Sequence, residues 1–199
     1  MQRTIYSSFP YRAIASNMQT MNLAHLTATP TALRIVEARS CHIAAIHDIY
    51  AHYVQHAMCT MEEVAPTEKE MHRRHDALRR EGLPWLVALE GADVVGYAYA
   101  ARYRSRAGYA ATLETSIYID KNRQGMGVGR ALLDALIQAG RQFGARQMVA
   151  VIVGAEGTTG SIRLHEHFGF QQVGVFTGVG RKFGRDVDTL FMQRNLLTI

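Results

Sequence analysis

Only two cysteines occur in the 199 residues, Cys41 and Cys59, and they form no CxxC pair. One bridge between them would not staple a chain of this length, so the sequence predicts a reduced, cytoplasmic protein. No stretch approaches the roughly 18 consecutive apolar residues of a membrane-spanning helix, and no membrane partner is expected. Basic charge never clusters either. The 22 basic residues, 19 of them Arg, include no run of about five or six. Nucleic-acid binding would leave a concentrated patch, so no nucleic-acid partner is expected. A net charge of +5 spread this thinly suits a polyanionic small molecule.

Acidic residues are missing altogether before Glu37. Residues 1–32 are rich in Ser and Thr and hold Arg3 and Arg12. That composition fits a transit peptide, and it also fits an over-extended start, since Met18 and Met21 could each begin the chain. Either way the folded domain is expected over 33–199, which carries 20 basic residues against 17 acidic ones.

What remains is the composition of one globular domain, 48% hydrophobic and 20% charged. LRIVEA from Leu33 predicts a strand, and Ser40 a cap for a helix through IAAIHDIYAHYV. Thr67 and Glu70 have capping-box spacing for a second helix, which Gly82 ends. PWLVALE and VVGYAYAA predict a hairpin across Gly91-Ala92-Asp93, and TLETSIYI a further strand. RALLDALIQAGRQF predicts a helix with Leu132, Leu136, Ala139 and Phe143 on one face, stopped by Gly144. QMVAVIV is a buried-type strand, Ser161 a cap for the short helix IRLHEHF, and two strands follow. The order β-α-α-β-β-β-α-β-α-β-β predicts an α/β single domain, a mixed sheet flanked by helices on both faces.

The strongest local signal is Arg123-Gln-Gly-Met-Gly-Val-Gly129, between TLETSIYI and the helix after it. Its glycines let backbone N–H groups approach a ligand, and the helix start adds unpaired N–H groups and a positive dipole end. A polyphosphate is one occupant; a plain connecting turn is the other reading. A Walker loop is excluded because Arg130-Ala131 follows the last glycine instead of Lys-Ser/Thr. The GxGxG spacing, late in the chain, also misses the dinucleotide fingerprint.

The loop resembles the Q/R-x-x-G-x-G/A signature of GNAT N-acetyltransferases, with Gln124, Gly127 and Gly129 in the marked places. PWLVALEGADVVGYAYA, TLETSIYI, SIRLHEHFGF and VGRKFGRDVDTLFMQRNL are similar to the phosphinothricin and methionine-sulfoximine acetyltransferase branch. The resemblance runs from about Leu33 to Leu197. It implies the GNAT fold, with a mixed, mostly antiparallel sheet, and acetyl-CoA as cosubstrate. It places the pyrophosphate on the backbone of Gly125, Met126, Gly127, Val128, Gly129 and Arg130, and the pantetheine arm along Ile117, Tyr118 and Ile119. It implies acetyl transfer by direct attack of a small amino acid's amine, in detoxification of amino-acid-like inhibitors, and a homodimer.

Glu114 is the candidate base, the only acid between Asp93 and Asp120 and set in an apolar strand. A strand carboxylate paired with an Arg is the alternative. His165 is the candidate acid for the leaving thiolate, where many superfamily members carry Tyr; packing beneath the short helix is its alternative. The resemblance places acceptor contacts at Arg104, Ser105, Arg106 and Tyr109, beside Glu114, Thr115 and Ser116, and Arg suits a carboxylate grip. Glu62 is a weaker acceptor-side candidate. Tyr97, Tyr99 and Tyr103 alternate along one strand and its exit, as core packing or as a cleft wall.

The chain also departs from that branch. GAEGTTGS is longer than the usual turn and lacks its CoA-contacting Asn, with Thr158 or Thr159 as substitutes. Ala110 and Asp186 stand where relatives often carry Trp, which bears on the acceptor more than on the chemistry. No metal is expected, since His52 and His56 have no third ligand and His165-Glu166-His167 is not HExxH. Acetylation of another amine (antibiotic, polyamine or peptide N-terminus) and a non-catalytic acyl-CoA-binding module are the competing readings.

Overall fold

The computed structural model describes residues 32–154 and 158–197. The expected leader lies outside the described residues except for Ala32, as do residues 155–157 of the long turn. Strand β1 (Leu33–Glu37) leads to helices α1 (Ile43–His56) and α2 (Glu68–Arg80). Strands β2 (Trp85–Glu90), β3 (Asp93–Arg102) and β4 (Thr112–Ile119) follow, then α3 (Val128–Phe143), β5 (Gln147–Gly154) and α4 (Thr159–His167). Strands β6 (Gln171–Lys182) and β7 (Arg185–Asn195) complete the expected element order.

The seven strands form one sheet in the order β1-β2-β3-β4-β5-β7-β6. Every neighbouring pair is antiparallel except β4 and β5. Helix α3 lies on one face, where Leu132, Leu133 and Leu136 pack with Leu113, Met148 and Met192. Helices α1 and α2 cover the other, where Ile43, Ile46, Val54 and Met71 meet Trp85, Val87 and Tyr97. Alternation along β4 therefore splits its side chains. Ile117 and Ile119 join the α3 core, and Tyr118 joins the α1/α2 core.

Helix α2 begins with half of the expected capping box: the Thr67 side chain accepts a hydrogen bond from Glu70 N–H, a cap worth about 1 kcal/mol, while the Glu70 carboxylate turns to Arg73 and Arg74. Two other caps differ from expectation. Ser40 lies inside a 3₁₀ turn, Ser40–His42, and His42 is the N-cap of α1. Thr158 rather than Ser161 precedes α4, which starts one turn earlier than its apolar residues suggest. The buried stripe of α3 is Val128, Leu132, Leu133, Leu136, Ile137 and Gly140, so Ala139 and Phe143 flank it half-buried. Burial of each large side chain there contributes roughly 1.5–3 kcal/mol. Gly140 lets the helix approach the sheet, because a Cβ would stand 2.6 Å from Met148 Cε.

Candidate active site

Strands β4 and β5 pair only from Thr112 opposite Gln147 to Thr115 opposite Ala150, although both continue for four more residues. Beyond that last rung the sheet opens. Asp120 N–H bonds to Val95 O, so by strand alternation Tyr118 also faces β3 while Ile117 and Ile119 direct their backbone groups into the gap. Of the three residues expected along the pantetheine arm, Tyr118 thus presents a side chain to the α1/α2 face and its backbone to β3. Its ring stacks on Tyr97 at 5.3 Å. The Ile119 carbonyl already accepts a hydrogen bond from Tyr53.

The glycine-rich loop stands at the same gap. Gly125 and Gly127 have φ of +76° and +86°, with nothing within 4 Å of where a Cβ would be. Their conformation is one that L side chains resist. Intrahelical bonding starts at Ala131 N–H to Gly127 O, so the N–H groups of Val128, Gly129 and Arg130 lie in the unpaired first turn of α3. Gly129 has a second reason to be glycine: its Cβ would stand 3.3 Å from Leu164 of α4. The loop is tied down by two side chains. Gln124 Nε2 donates to the Tyr53 hydroxyl (2.8 Å), and Arg123 Nε donates to Glu90 (2.8 Å). Met126 is exposed at the loop tip. Thr158 holds the N-cap position of α4, its carbonyl accepting from Ile162 N–H.

On the α1/α2 face, Glu114 lies half-buried opposite Ala101. Burial pushes its carboxyl above the ordinary carboxylate range, and the Arg104 charge pulls it partly back. Ser116 points the same way and hydrogen-bonds Tyr99. Thr115 does not: it faces the other side, buried, with Oγ1 donating to Val149 O at 3.4 Å. Strand alternation thus puts its side chain on the face opposite Glu114 and Ser116, not beside them as expected.

A cavity of about 240 Å³ opens between this face and α2, lined by Tyr50, Arg74, Trp85, Tyr97, Tyr99 and Ala101 among others. Ala101 sets Glu114 beside it. Tyr97 and Tyr99 are cavity wall, whereas Tyr103 and Tyr109 line a separate groove over β5, β7 and β6. Arg104 is exposed over the Tyr103 ring at 4.7 Å, and Ser105 and Arg106 are exposed beside it. Arg74 is the residue that sequence reasoning missed. Its Nη1 donates to Glu62 Oε1 at 2.7 Å and its Nε to Glu70 Oε1 at 3.0 Å. Glu62 keeps its guanidinium firmly protonated. In the sequence Arg74 is one more charge in EKEMHRRHDALRR, and only its partner, 12 residues away, sets it apart.

His165 is buried in α4 against Phe170. Its Nδ1 lies 2.8 Å from Ser161 O, which can only accept, so the proton sits on Nδ1. Nε2 is buried without a partner, and burial lowers the pKa. The imidazole is therefore neutral and carries no hydrogen on Nε2. Among the described residues no group of three His, Cys, Asp or Glu could hold a metal ion, and no helix is long and apolar enough to cross a membrane.

The model of the acetyltransferase (GNAT) family matches residues 44–170. The chain is 43% identical to phosphinothricin N-acetyltransferase of Alcaligenes faecalis over 190 residues, 96% of this chain and 93% of that protein. It is 37% identical to L-methionine sulfoximine/L-methionine sulfone acetyltransferase of Salmonella typhimurium, covering 82% and 94% of the two. A phosphinothricin acetyltransferase of Sinorhizobium meliloti, crystallised with acetyl-CoA, superposes with a TM-score of 0.78 at 38% identity, over 82% of this chain and 88% of that one.

Proposed function

The chain belongs to the GNAT acetyltransferase family, and from that premise we propose that it moves acetyl from acetyl-CoA to the α-amine of a small amino acid or analogue of the phosphinothricin, methionine sulfoximine or methionine sulfone type. The observation that carries the acceptor half is the placement of Glu114 beside a cavity of amino-acid size lined by aromatic rings and Arg74. The donor half rests on the opening between β4 and β5 with the bare first turn of α3 at its mouth.

The pyrophosphate meets the N–H groups of Gly125 to Arg130, with Gln124 holding the loop's stance through Tyr53. The pantetheine amides pair with Ile117 and Ile119 as an added strand would. In the cavity Arg74 grips the acceptor carboxylate, and Arg104 adds positive charge near Glu114. Glu114, its carboxyl raised by burial, takes a proton from the ammonium directly or through one water. The freed amine attacks the thioester carbon, the C–S bond breaks, and the amine's second proton neutralises the thiolate or passes to solvent. The imidazole of His165 has no proton on Nε2 to give, so its part is to pack α4 against Phe170. Thr158, at the start of α4, takes the place of the missing Asn beside the cosubstrate.

The same proposal includes a homodimer. Strand β6 is the final strand in the sheet order and is exposed along nearly its whole length, with Val173, Val175, Phe176 and Val179 open to solvent. Its setting is the cytoplasm and its use the neutralisation of amino-acid-like inhibitors. The deciding experiment follows acetyl-CoA consumption with free amino acids, methionine sulfone, methionine sulfoximine and phosphinothricin, with polyamines and aminoglycosides as controls. Turnover of the analogues supports the assignment; activity confined to the polycationic amines overturns it.

A further inference from the structure

Lys182 is fully buried at the end of β6, and among the described residues no other Lys, Arg, Asp or Glu is buried. Burying an ammonium is costly unless its hydrogens are satisfied. Here Nζ donates to Ala57 O at 2.9 Å and to Thr60 O at 2.8 Å, and stands 4.9 Å from the Phe183 ring. Both carbonyls belong to the segment joining α1 to α2, more than 120 residues away in sequence. The hairpin that presents the lysine is tightly built. Lys182 pairs with Arg185 across Phe183 and Gly184, both with positive φ (47° and 73°). Below it, a Cβ on Gly180 would stand 2.7 Å from Met61 Sδ, so the hairpin and the segment are in direct contact.

From the clamped segment a polar chain leads to the cavity. Thr60 Oγ1 shares a 2.9 Å hydrogen bond with the Tyr50 hydroxyl and accepts from Glu62 N–H at 3.4 Å. The Tyr50 hydroxyl donates to Glu62 Oε1 at 2.9 Å, and Glu62 holds Arg74. Tyr50 and Arg74 both line the cavity. We infer that Lys182 is a positioning residue for acceptor binding: it fixes the α1–α2 segment so that Thr60, Glu62 and Tyr50 hold Arg74 at the cavity wall. This rests on reading the cavity as the acceptor site. Lys182 itself touches neither substrate.

The test replaces Lys182 by Met, which keeps the stem and removes the donors, and reads four quantities. These are acceptor KM, kcat, acetyl-CoA Kd by calorimetry, and amide hydrogen exchange across residues 57–63. The expected result is an acceptor KM raised about tenfold or more, with kcat within about threefold and acetyl-CoA Kd unchanged. Exchange across the segment quickens. A second arm combines Lys182→Met with Glu62→Gln; if Lys182 acts through Glu62, the double variant costs clearly less than the two single effects together. Full additivity overturns the inference, as does faster exchange with a wild-type acceptor KM. Where Lys182→Met fails to fold, Thr60→Val cuts the same chain and leaves the lysine's carbonyl partners in place. An unchanged acceptor KM there overturns it equally. If the wild type acetylates no amino acid, the acceptor assignment fails first, and the exchange measurement still decides whether Lys182 clamps the segment.

Discussion

Glu62 accepts two hydrogen bonds from Arg74, one from Nη1 at 2.7 Å and one from Nη2 at 3.3 Å, which joins the segment after α1 to the second turn of α2 at the cavity wall. Arg74→Met is expected to raise acceptor KM by about 10–100-fold in steady-state kinetics while leaving acetyl-CoA KM unchanged. Arg74→Lys keeps the charge but loses the fork, so it recovers only part of the loss. The pair is about one-third exposed, and its net worth to stability is at most about 1 kcal/mol, so Tm should move little.

Glu114→Gln is expected to lower kcat/KM by about 10²–10⁴-fold and to remove the acid limb of its pH profile. Because Arg104 pulls the Glu114 carboxyl down, Arg104→Ala should shift that limb to higher pH. The stability effect has the opposite sense to the activity effect. A carboxyl raised by burial stabilises the fold at low pH, and that contribution is lost as pH rises through its folded value. Glu114→Gln should therefore match or exceed the wild-type Tm at neutral pH. An unchanged pH–rate profile would end the role as base.

Gly127 adopts φ +86° at the N-cap of α3, so Gly127→Ala costs about 1–2 kcal/mol of backbone strain and places a methyl group at the proposed pyrophosphate site. Acetyl-CoA KM should rise with acceptor KM unchanged. Gly129 has ordinary helical backbone, and Gly129→Ala presses only on Leu164, so calorimetry should find near-normal acetyl-CoA binding.

His165→Gln is expected to keep kcat within about tenfold, since the neutral imidazole offers the thiolate no proton. The histidine should show itself in stability instead. Its pKa is lowered by burial, so its contribution is present above the unfolded value near 6.5 and is lost as pH falls below it. Thermal melts from pH 7.5 to 5.5 should fall more steeply for the wild type than for the variant. A kcat loss of about 10³-fold with normal acetyl-CoA binding would restore the general-acid role.

Valine and phenylalanine side chains at the β6 edge should make the protein dimeric in solution, and Phe176→Lys should shift it toward monomer in light scattering. A wild type that is monomeric at about micromolar concentration would remove the dimer from the proposal.

Element order, most boundaries, the Thr67 cap and the glycine-rich loop were legible because each depends on neighbours a few residues apart. Two caps slipped for a local reason: Ser40 and Ser161 are good capping residues that fell inside the helical turns they were expected to begin. Local pattern alone specifies the strand–loop–helix unit from Glu114 through Gly129, whose signals are alternation, glycine spacing and a helix start. Its surroundings come from long-range packing. The opening between β4 and β5, the pairing of Arg74 with Glu62, and the reach of Lys182 to Ala57 and Thr60 join segments that are unrelated in local pattern. Nothing in a solvent-compatible Arg or Lys marks it for burial or for a cavity wall. That choice is made by desolvation and by the carbonyls and carboxylates that the fold brings within hydrogen-bonding distance.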